Sequence, residues 1–86
     1  MNEKQLYNDV IDTIRNWREG NSWQTFIKSQ VLNRETEVEK ISLDSLDVME
    51  IIVKMEEKYG VKVKDKDIDI NTIGDIVETI MKSPQN

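Results

Sequence analysis

The residues best suited to chemistry are a serine and two aspartates that lie next to one another: Asp44, Ser45 and Asp47. Asp44 is a good helix N-cap, which places Ser45 at the first helical position and Asp47 at the third, where it repeats the acidic half of a capping box. A serine hydroxyl in the first turn lies beside unpaired backbone N–H groups, at the positive end of the helix dipole. These residues are ordinary capping residues, but an anion attached to that oxygen would also be stabilised there, as phosphates are at helix N-termini.

The composition excludes several kinds of active site. The chain contains no histidine, so no Ser-His pair could activate Ser45 as a nucleophile. It also contains no cysteine, which excludes disulfides and thiolate metal sites. At 86 residues the protein has little room for an enclosed pocket lined with catalytic groups. The composition therefore favours a carrier, binding or regulatory module with no catalytic residues and no metal of its own.

The charge balance and the hydropathy pattern narrow the class further. With 12 basic and 17 acidic residues the net charge is −5, which argues against nucleic acid as a partner because little would neutralise its phosphates. No run approaches the roughly 18 apolar residues of a membrane span. The first four residues lack the basic-then-apolar order of a signal peptide, so we expect a cytoplasmic protein with no membrane partner.

The apolar spacing predicts a first helix. Asn2 is its expected N-cap and Gly20 its expected end. The face of this helix is formed by residues spaced at three and four positions: Leu6, Val10, Ile11, Ile14 and Trp17.

Residues 21–43 form a long connection that we expect to have structure of its own, because a structureless loop of that length is unusual. Ser22 could cap a short helix within it. Four apolar residues share one face of that helix, which would cover one end of the bundle: Trp23, Phe26, Ile27 and Val31.

The remaining helices are predicted from their caps and their apolar content. The helix that begins at Asp44–Ser45 should end at Gly60, and it holds too many apolar residues for one stripe, which is typical of a central helix. Asp65–Ile70 could form one helical turn, and a last helix should run from Asn71 or Thr72 to about Met81. The prediction is an all-α, three-to-four-helix bundle in a single domain, residues 1–86, with a long structured connection between its first and second main helices.

The stretch DSLDVMEIIVKMEEKYGVKV, residues 44–63, resembles the signature of acyl carrier proteins, within the wider family of phosphopantetheine-binding carriers. An aromatic residue at Tyr59 and a β-branched residue at Val63 fit that signature, and residues 72–76 resemble the entry to the family's final helix. The resemblance extends from Ser42 to Met81, while the first helix matches only by pattern and position. It implies the acyl-carrier type of helical bundle.

The resemblance also implies a function. Ser45 would carry 4′-phosphopantetheine through a phosphodiester, and the thiol of that group would carry acyl chains as thioesters. Asp44 would assist the modifying phosphopantetheinyl transferase, through its magnesium-dependent docking. Three apolar residues of the same helix match the family's partner-facing positions: Leu46, Met49 and Val53. Four acidic residues match its recognition positions: Asp47, Glu50, Glu56 and Glu57.

The distribution of charge agrees with this interpretation. Residues 1–43 carry a net charge of −1 and residues 44–86 carry −4, and the stretch Asp44–Glu57 alone holds five acids and the single base Lys54. Such a surface speeds association with basic partners and makes it salt-sensitive. We therefore expect a monomer that meets the transferase, and acyl-loading and acyl-processing enzymes, through their basic patches.

Three departures from the family pattern favour a specialised carrier, in a lipid or secondary-metabolite pathway, over bulk fatty-acid synthesis. Ser42 stands where the family usually has glycine, Lys54 replaces a small or neutral residue, and the connection before Ser45 is long. Three alternatives stay open: an aminoacyl or peptidyl carrier, an unmodified helical interaction module, and an acidic inhibitor of a nucleic-acid enzyme.

Overall fold

The computed structural model describes residues 2–64 and 69–85, and four α-helices account for most of them. These are α1 (Glu3–Arg15), α2 (Asn21–Lys28), α3 (Ser45–Tyr59) and α4 (Ile73–Met81), with a 3-10 turn at Val38–Ile41 between α2 and α3. Within the described residues, β structure is limited to two isolated antiparallel bridges, Glu37 with Thr72 and Val61 with Gln85. The prediction of an all-α bundle with a structured connection is confirmed.

The start of α1 is as predicted, but its end is not. Asn2 caps the helix, its Oδ1 accepting from the N–H of Lys4 at 2.8 Å. The helix ends at Arg15, and Asn16 after it donates both its backbone N–H and its side-chain amide to the carbonyl of Asp12 in the last turn. Gly20 therefore does not end α1, and Trp17 lies beyond the helix.

Gly20 instead begins α2, as the N-cap residue with φ of 104°, so the prediction of a Ser22 cap is wrong. Two residues of the expected apolar face, Trp23 and Ile27, are buried in the core. Val31 lies past the end of the helix and is 80 % exposed, which contradicts its assignment to that face.

The short helix α2 is part of the core and also completes α1. The Trp23 indole N–H donates to the carbonyl of Ile14 at 3.2 Å, and the Gln24 amide donates to the carbonyl of Arg15 at 3.0 Å. The last carbonyls of a helix have no partner within it, so α2 satisfies groups that α1 leaves open. The connection thus packs against α1 and contributes Trp23 and Ile27 to the core.

The helix at the centre of the bundle is α1, which packs against α2, α3 and α4, whereas the sequence predicted α3 in that place. α3 packs against α1 and α4 through one buried face, formed by Val48, Ile51, Ile52 and Met55. Its surplus apolar residues face outwards: Leu46 is 67 % exposed and Val53 is 40 % exposed. The apolar surplus of α3 thus reflects an exposed apolar surface rather than burial on several sides.

Backbone hydrogen bonds tie the connection to the start of α4. Val38 N–H donates to Asn71 O at 2.9 Å, and Gly74 N–H donates to Arg34 O at 2.9 Å. A Cβ at Gly74 would lie 3.0 Å from that Arg34 oxygen, so glycine permits the close approach. This holds the 3-10 turn, and the residues that follow it, beside α4.

The ends of α3 and α4 agree with the prediction. Gly60 ends α3 with φ of 64°, and Thr72 caps α4, accepting from Asp75 N–H at 3.1 Å in a reciprocal capping box. The predicted turn at Asp65–Ile70 falls largely on residues 65–68, which lie outside the described residues. No helix of the described chain has the length and apolar character needed to cross a membrane.

Candidate functional site

The candidate site is the first turn of α3. Asp44 Oδ1 accepts from Asp47 N–H at 2.8 Å, and Asp47 Oδ2 accepts from Asp44 N–H at 3.1 Å, so the predicted capping box is complete. Ser45 is the first residue of the helix and is exposed. Within the described residues its hydroxyl makes no hydrogen bond, and neither its N–H nor that of Leu46 has an acceptor.

These features determine what the turn can bind. Two free N–H groups and the helix dipole create a positive potential beside an exposed hydroxyl. A phosphodiester on that oxygen would place its negative charge at the favourable end of the helix. The chemistry of the turn therefore fits a phosphate-linked prosthetic group on Ser45.

A groove of about 640 Å³ opens beside Ser45. The 3-10 turn supplies Val38 to its wall, the start of α3 supplies Leu46 and Met49, and the segment before α4 supplies Ile70. An arm attached at Ser45 would thus begin at the edge of a partly apolar groove.

Asp47 differs from the exposed recognition residue that the sequence suggested. Its side chain is 18 % exposed, and its carboxylate accepts from the Trp17 indole at 2.9 Å and from the Arg18 guanidinium at 3.1 Å. Partial burial acts to raise the pKa of Asp47, but the bonds from Trp17 and from Asp44 N–H, together with the charge of Arg18, outweigh it and lower the pKa. Asp47 thus links the candidate turn to the end of α1.

The other predicted recognition residues fall into two groups. Leu46 and Val53 are exposed, and Glu50 and Glu57 are exposed acids on the same helix. Two further members lie partly buried: Met49, and Glu56, whose carboxylate accepts from Val63 N–H at 2.8 Å. The structure therefore combines an apolar row with acidic side chains along α3, next to Ser45.

The C-terminal end of α3 is also attached to α1. The Tyr59 hydroxyl donates to Asp9, and the Lys58 ammonium lies 3.1 Å from the same carboxylate. The Tyr59 bond is the largest influence that lowers the pKa of Asp9, while burial, the bond and the negative charge of Asp9 raise the pKa of Tyr59 to about 12. α3 is thus attached to α1 at its C-terminal end, and to the residues that follow α1 at its N-terminal end.

Trp17 and Arg18 are the site residues that sequence reasoning missed. Their contacts with Asp47 join residues 30 and 29 positions apart in the chain. Trp17 had been assigned to the apolar face of the first helix, and no local pattern marks Arg18 as a partner of α3.

Comparison with known proteins identifies the family. Residues 22–80 match the model of the family described as the phosphopantetheine attachment site, which is well over half of the chain. The chain belongs to this phosphopantetheine-attachment family. The predicted resemblance is thereby confirmed, and so is the cofactor that defines the family, covalently attached 4′-phosphopantetheine. It is a family of carriers rather than of catalysts.

Several curated acyl carrier proteins are similar to this family member. It is 46 % identical over 55 residues to an acyl carrier protein of Rhodococcus erythropolis, covering 63 % of this chain and 60 % of that protein. It is 42 % identical over 55 residues to a meromycolate extension acyl carrier protein of Mycolicibacterium aurum, covering 63 % and 57 %. It is 39 % identical over 56 residues to an acyl carrier protein of Thermotoga maritima, covering 64 % and 69 %.

These matches have a limited extent. The chain spans between about half and three fifths of the length of the first curated relatives that it matches. No solved structure gives a significant match.

Proposed function

We propose that this protein is an acyl carrier whose Ser45 receives 4′-phosphopantetheine from a phosphopantetheinyl transferase. The observation that carries the proposal is the exposed, unbonded hydroxyl of Ser45 at the first position of α3, within the segment that matches the family. Coenzyme A is the donor. The Ser45 oxygen forms a bond to the phosphorus that bears the pantetheine, the bond from that phosphorus to the ADP portion breaks, and the serine proton is lost to a base of the transferase.

The chain's own residues prepare that oxygen. The capping box between Asp44 and Asp47 fixes the turn, and the free N–H groups of Ser45 and Leu46 are oriented towards a phosphate at this end of the helix. Asp44 would also contribute to docking of the magnesium-dependent transferase. Once attached, the group supplies a thiol that carries acyl chains as thioesters.

The proposed docking surface is the exposed side of α3. Its apolar row is Leu46, Met49 and Val53, and its exposed acids are Glu50 and Glu57. Exposed apolar residues beside acids suit partners with an apolar contact ringed by arginine or lysine. The remaining two predicted recognition residues add their charge to this surface and also make internal hydrogen bonds: Asp47 and Glu56.

The pathway follows from the relatives only by analogy. One similar protein acts in meromycolate extension, which favours a specialised lipid pathway with acyl-loading and acyl-processing enzymes as partners. In that role the protein would be a substrate of enzymes rather than an enzyme. A cytoplasmic location, a monomeric state and a single domain stay predictions from the sequence.

Intact mass spectrometry tests the attachment. The protein is incubated with coenzyme A, magnesium and a broad-specificity phosphopantetheinyl transferase, and we expect a mass increase of one phosphopantetheine. Ser45→Ala should abolish the increase, whereas Ser22→Ala, which changes an exposed serine in the first turn of α2, should leave it intact. An increase that survives Ser45→Ala would contradict the assignment, and no increase in the wild-type protein would favour an unmodified interaction module.

A further inference from the structure

The residues that follow α1 reach the turn that contains Ser45. Trp17 Nε1 donates to Asp47 Oδ1 at 2.9 Å. Arg18 Nη2 donates to Asp47 Oδ2 at 3.1 Å and to the backbone carbonyl of Ser42 at 3.0 Å. The two residues thus contact the chain on both sides of Ser45, at positions 42 and 47.

The Asp47 carboxylate is the point where these contacts meet the helix cap. The same oxygen that accepts from Arg18 also accepts from Asp44 N–H at 3.1 Å. The capping box is therefore coupled to Arg18, because a carboxylate held by a guanidinium and an indole loses the freedom to leave its capping position.

Arg18 is itself anchored to the core. Its guanidinium carbon lies 4.8 Å from the centre of the Trp23 ring, and Trp23 is 6 % exposed. A continuous set of contacts therefore joins a core residue, through Arg18 and Asp47, to the residues beside Ser45.

We propose that Arg18, assisted by Trp17, is a positioning residue for the modification of Ser45. This inference rests on the proposed function. Arg18 and Trp17 hold the turn Ser42–Asp47 in the conformation in which the cap is formed and the Ser45 hydroxyl is presented to the transferase. Most of the proposed docking side chains lie beyond this turn, from Met49 to Glu57, and only Asp44, Leu46 and Asp47 belong to both.

The separation gives the experiment a kinetic signature. In Arg18→Gln the turn is less often in its reactive conformation, while most of the docking surface is unchanged. We expect kcat for phosphopantetheine transfer from coenzyme A to fall on the order of tenfold, less than the roughly hundredfold that a 1 Å misplacement can cost. KM for the carrier should change little, because most docking contacts are retained.

Arg34→Gln is the matched control. Arg18 and Arg34 are 43 % and 42 % exposed, and each contacts one carboxylate and lies over one aromatic ring. The partners of Arg34 are Glu3 and Tyr7, outside the turn of Ser45. Arg34→Gln should therefore keep the wild-type kcat, although it too loses a carboxylate and an aromatic contact; Arg18 differs in also donating to the Ser42 carbonyl, which belongs to the turn.

Two further variants refine the test. Trp17→Phe removes the indole donor to Asp47 and keeps an aromatic ring beside Lys54 and the core, so it should give a smaller fall in kcat. Arg18→Lys, which keeps the charge, should recover part of the loss. Amide hydrogen exchange at Asp44 and Asp47 should be faster in Arg18→Gln than in Arg34→Gln. If Arg18→Gln fails to fold, Trp17→Phe decides the question by the same comparison.

The outcomes separate this inference from the proposed function. A wild-type protein that is never modified removes the proposed function. If the wild-type protein is modified, and Arg18→Gln (or Trp17→Phe in its place) reacts at the same kcat, only the positioning role is contradicted. A loss carried by KM, or shared equally by Arg34→Gln, would also overturn it, because it would point to docking or to general stability.

Discussion

Ser42 has φ of 64° and ψ of 30°, the one positive φ at a non-glycine residue in the part of the chain that the structure describes. It follows the 3-10 turn, and the reversal is closed by Leu43 N–H donating to Val38 O at 3.0 Å. The left-handed conformation at this position directs the chain into the cap of α3. Glycine adopts this conformation without a steric cost, so Ser42→Gly should stabilise the protein.

The size of the gain is the difference between two terms. A left-handed conformation costs an L residue roughly 1–2 kcal/mol in the folded state, which glycine avoids. The extra freedom of glycine stabilises the unfolded chain by about 0.4–1 kcal/mol, which reduces the gain. The expected gain in the free energy of unfolding is about 0.5–1 kcal/mol. For a domain of this size that raises Tm by roughly 2–8 °C.

Urea unfolding and thermal melting of Ser42→Gly, Ser42→Ala and wild type provide the assay. Alanine removes the hydroxyl without relieving the left-handed strain. The contact from Arg18 is made to the backbone carbonyl of residue 42, so both variants and the wild type retain it. We expect the glycine variant to be more stable than both others. Equal stability of the glycine and alanine variants would refute the reasoning, because the side chain and not the backbone would then be responsible.

Three further experiments, with four substitutions, test the packing of the bundle and the titration of Tyr59. Gly74→Ala places a Cβ 3.0 Å from Arg34 O and should lower the free energy of unfolding by up to about 2 kcal/mol, measured in urea; an unchanged or higher midpoint would contradict the close approach. Burial raises the pKa of folded Tyr59 to about 12, so above about pH 10 the tyrosine ionises in the unfolded chain before it does in the folded one, and the wild type loses stability. Tyr59→Phe should lack this loss. Parallel pH profiles of stability for the two proteins would contradict the prediction. Ile27→Ala should cost about 2–5 kcal/mol and Val31→Ala less than about 0.5 kcal/mol, and similar losses in both would mean that Val31 is buried as well.

The elements of this protein were predictable where local residues determine them. The caps at Asn2, Asp44 and Thr72 form because each side chain accepts from N–H groups two or three residues away. Gly60 ends α3 because glycine adopts φ of 64° readily. These features need only a few consecutive residues, which a sequence displays directly.

The errors arose where tertiary contacts decide the outcome. Gly20 was read as the end of a helix because glycine is common there, yet it begins the next one. α1 ends at Arg15, and Trp23 and Gln24 of α2 supply donors for its last carbonyls. Bonds of this kind between separate helices leave no periodic signal in the sequence.

The candidate site shows the same division. The cap that precedes and includes Ser45 was predictable from consecutive residues, and the family match over residues 22–80 contains it. The structure adds that Asp47, read as a docking residue, is held by Trp17 and Arg18. The sequence predicts Ser45 as the attachment residue, whereas the contacts of Trp17 and Arg18 with its turn become visible only when the chain is folded.

The exposed surface of α3 follows from the way that helix is attached. Near its start Asp47 contacts Arg18, which follows α1, and near its end Tyr59 contacts Asp9 of α1. Its buried face packs on α1 and α4. The opposite side therefore needs no partner for folding, yet it keeps Leu46 and Val53 exposed. Leucine and valine at such positions do not contribute to the core of this bundle. In the proposed function a partner surface covers these two side chains during transfer, beside Ser45 in the first turn of the same helix.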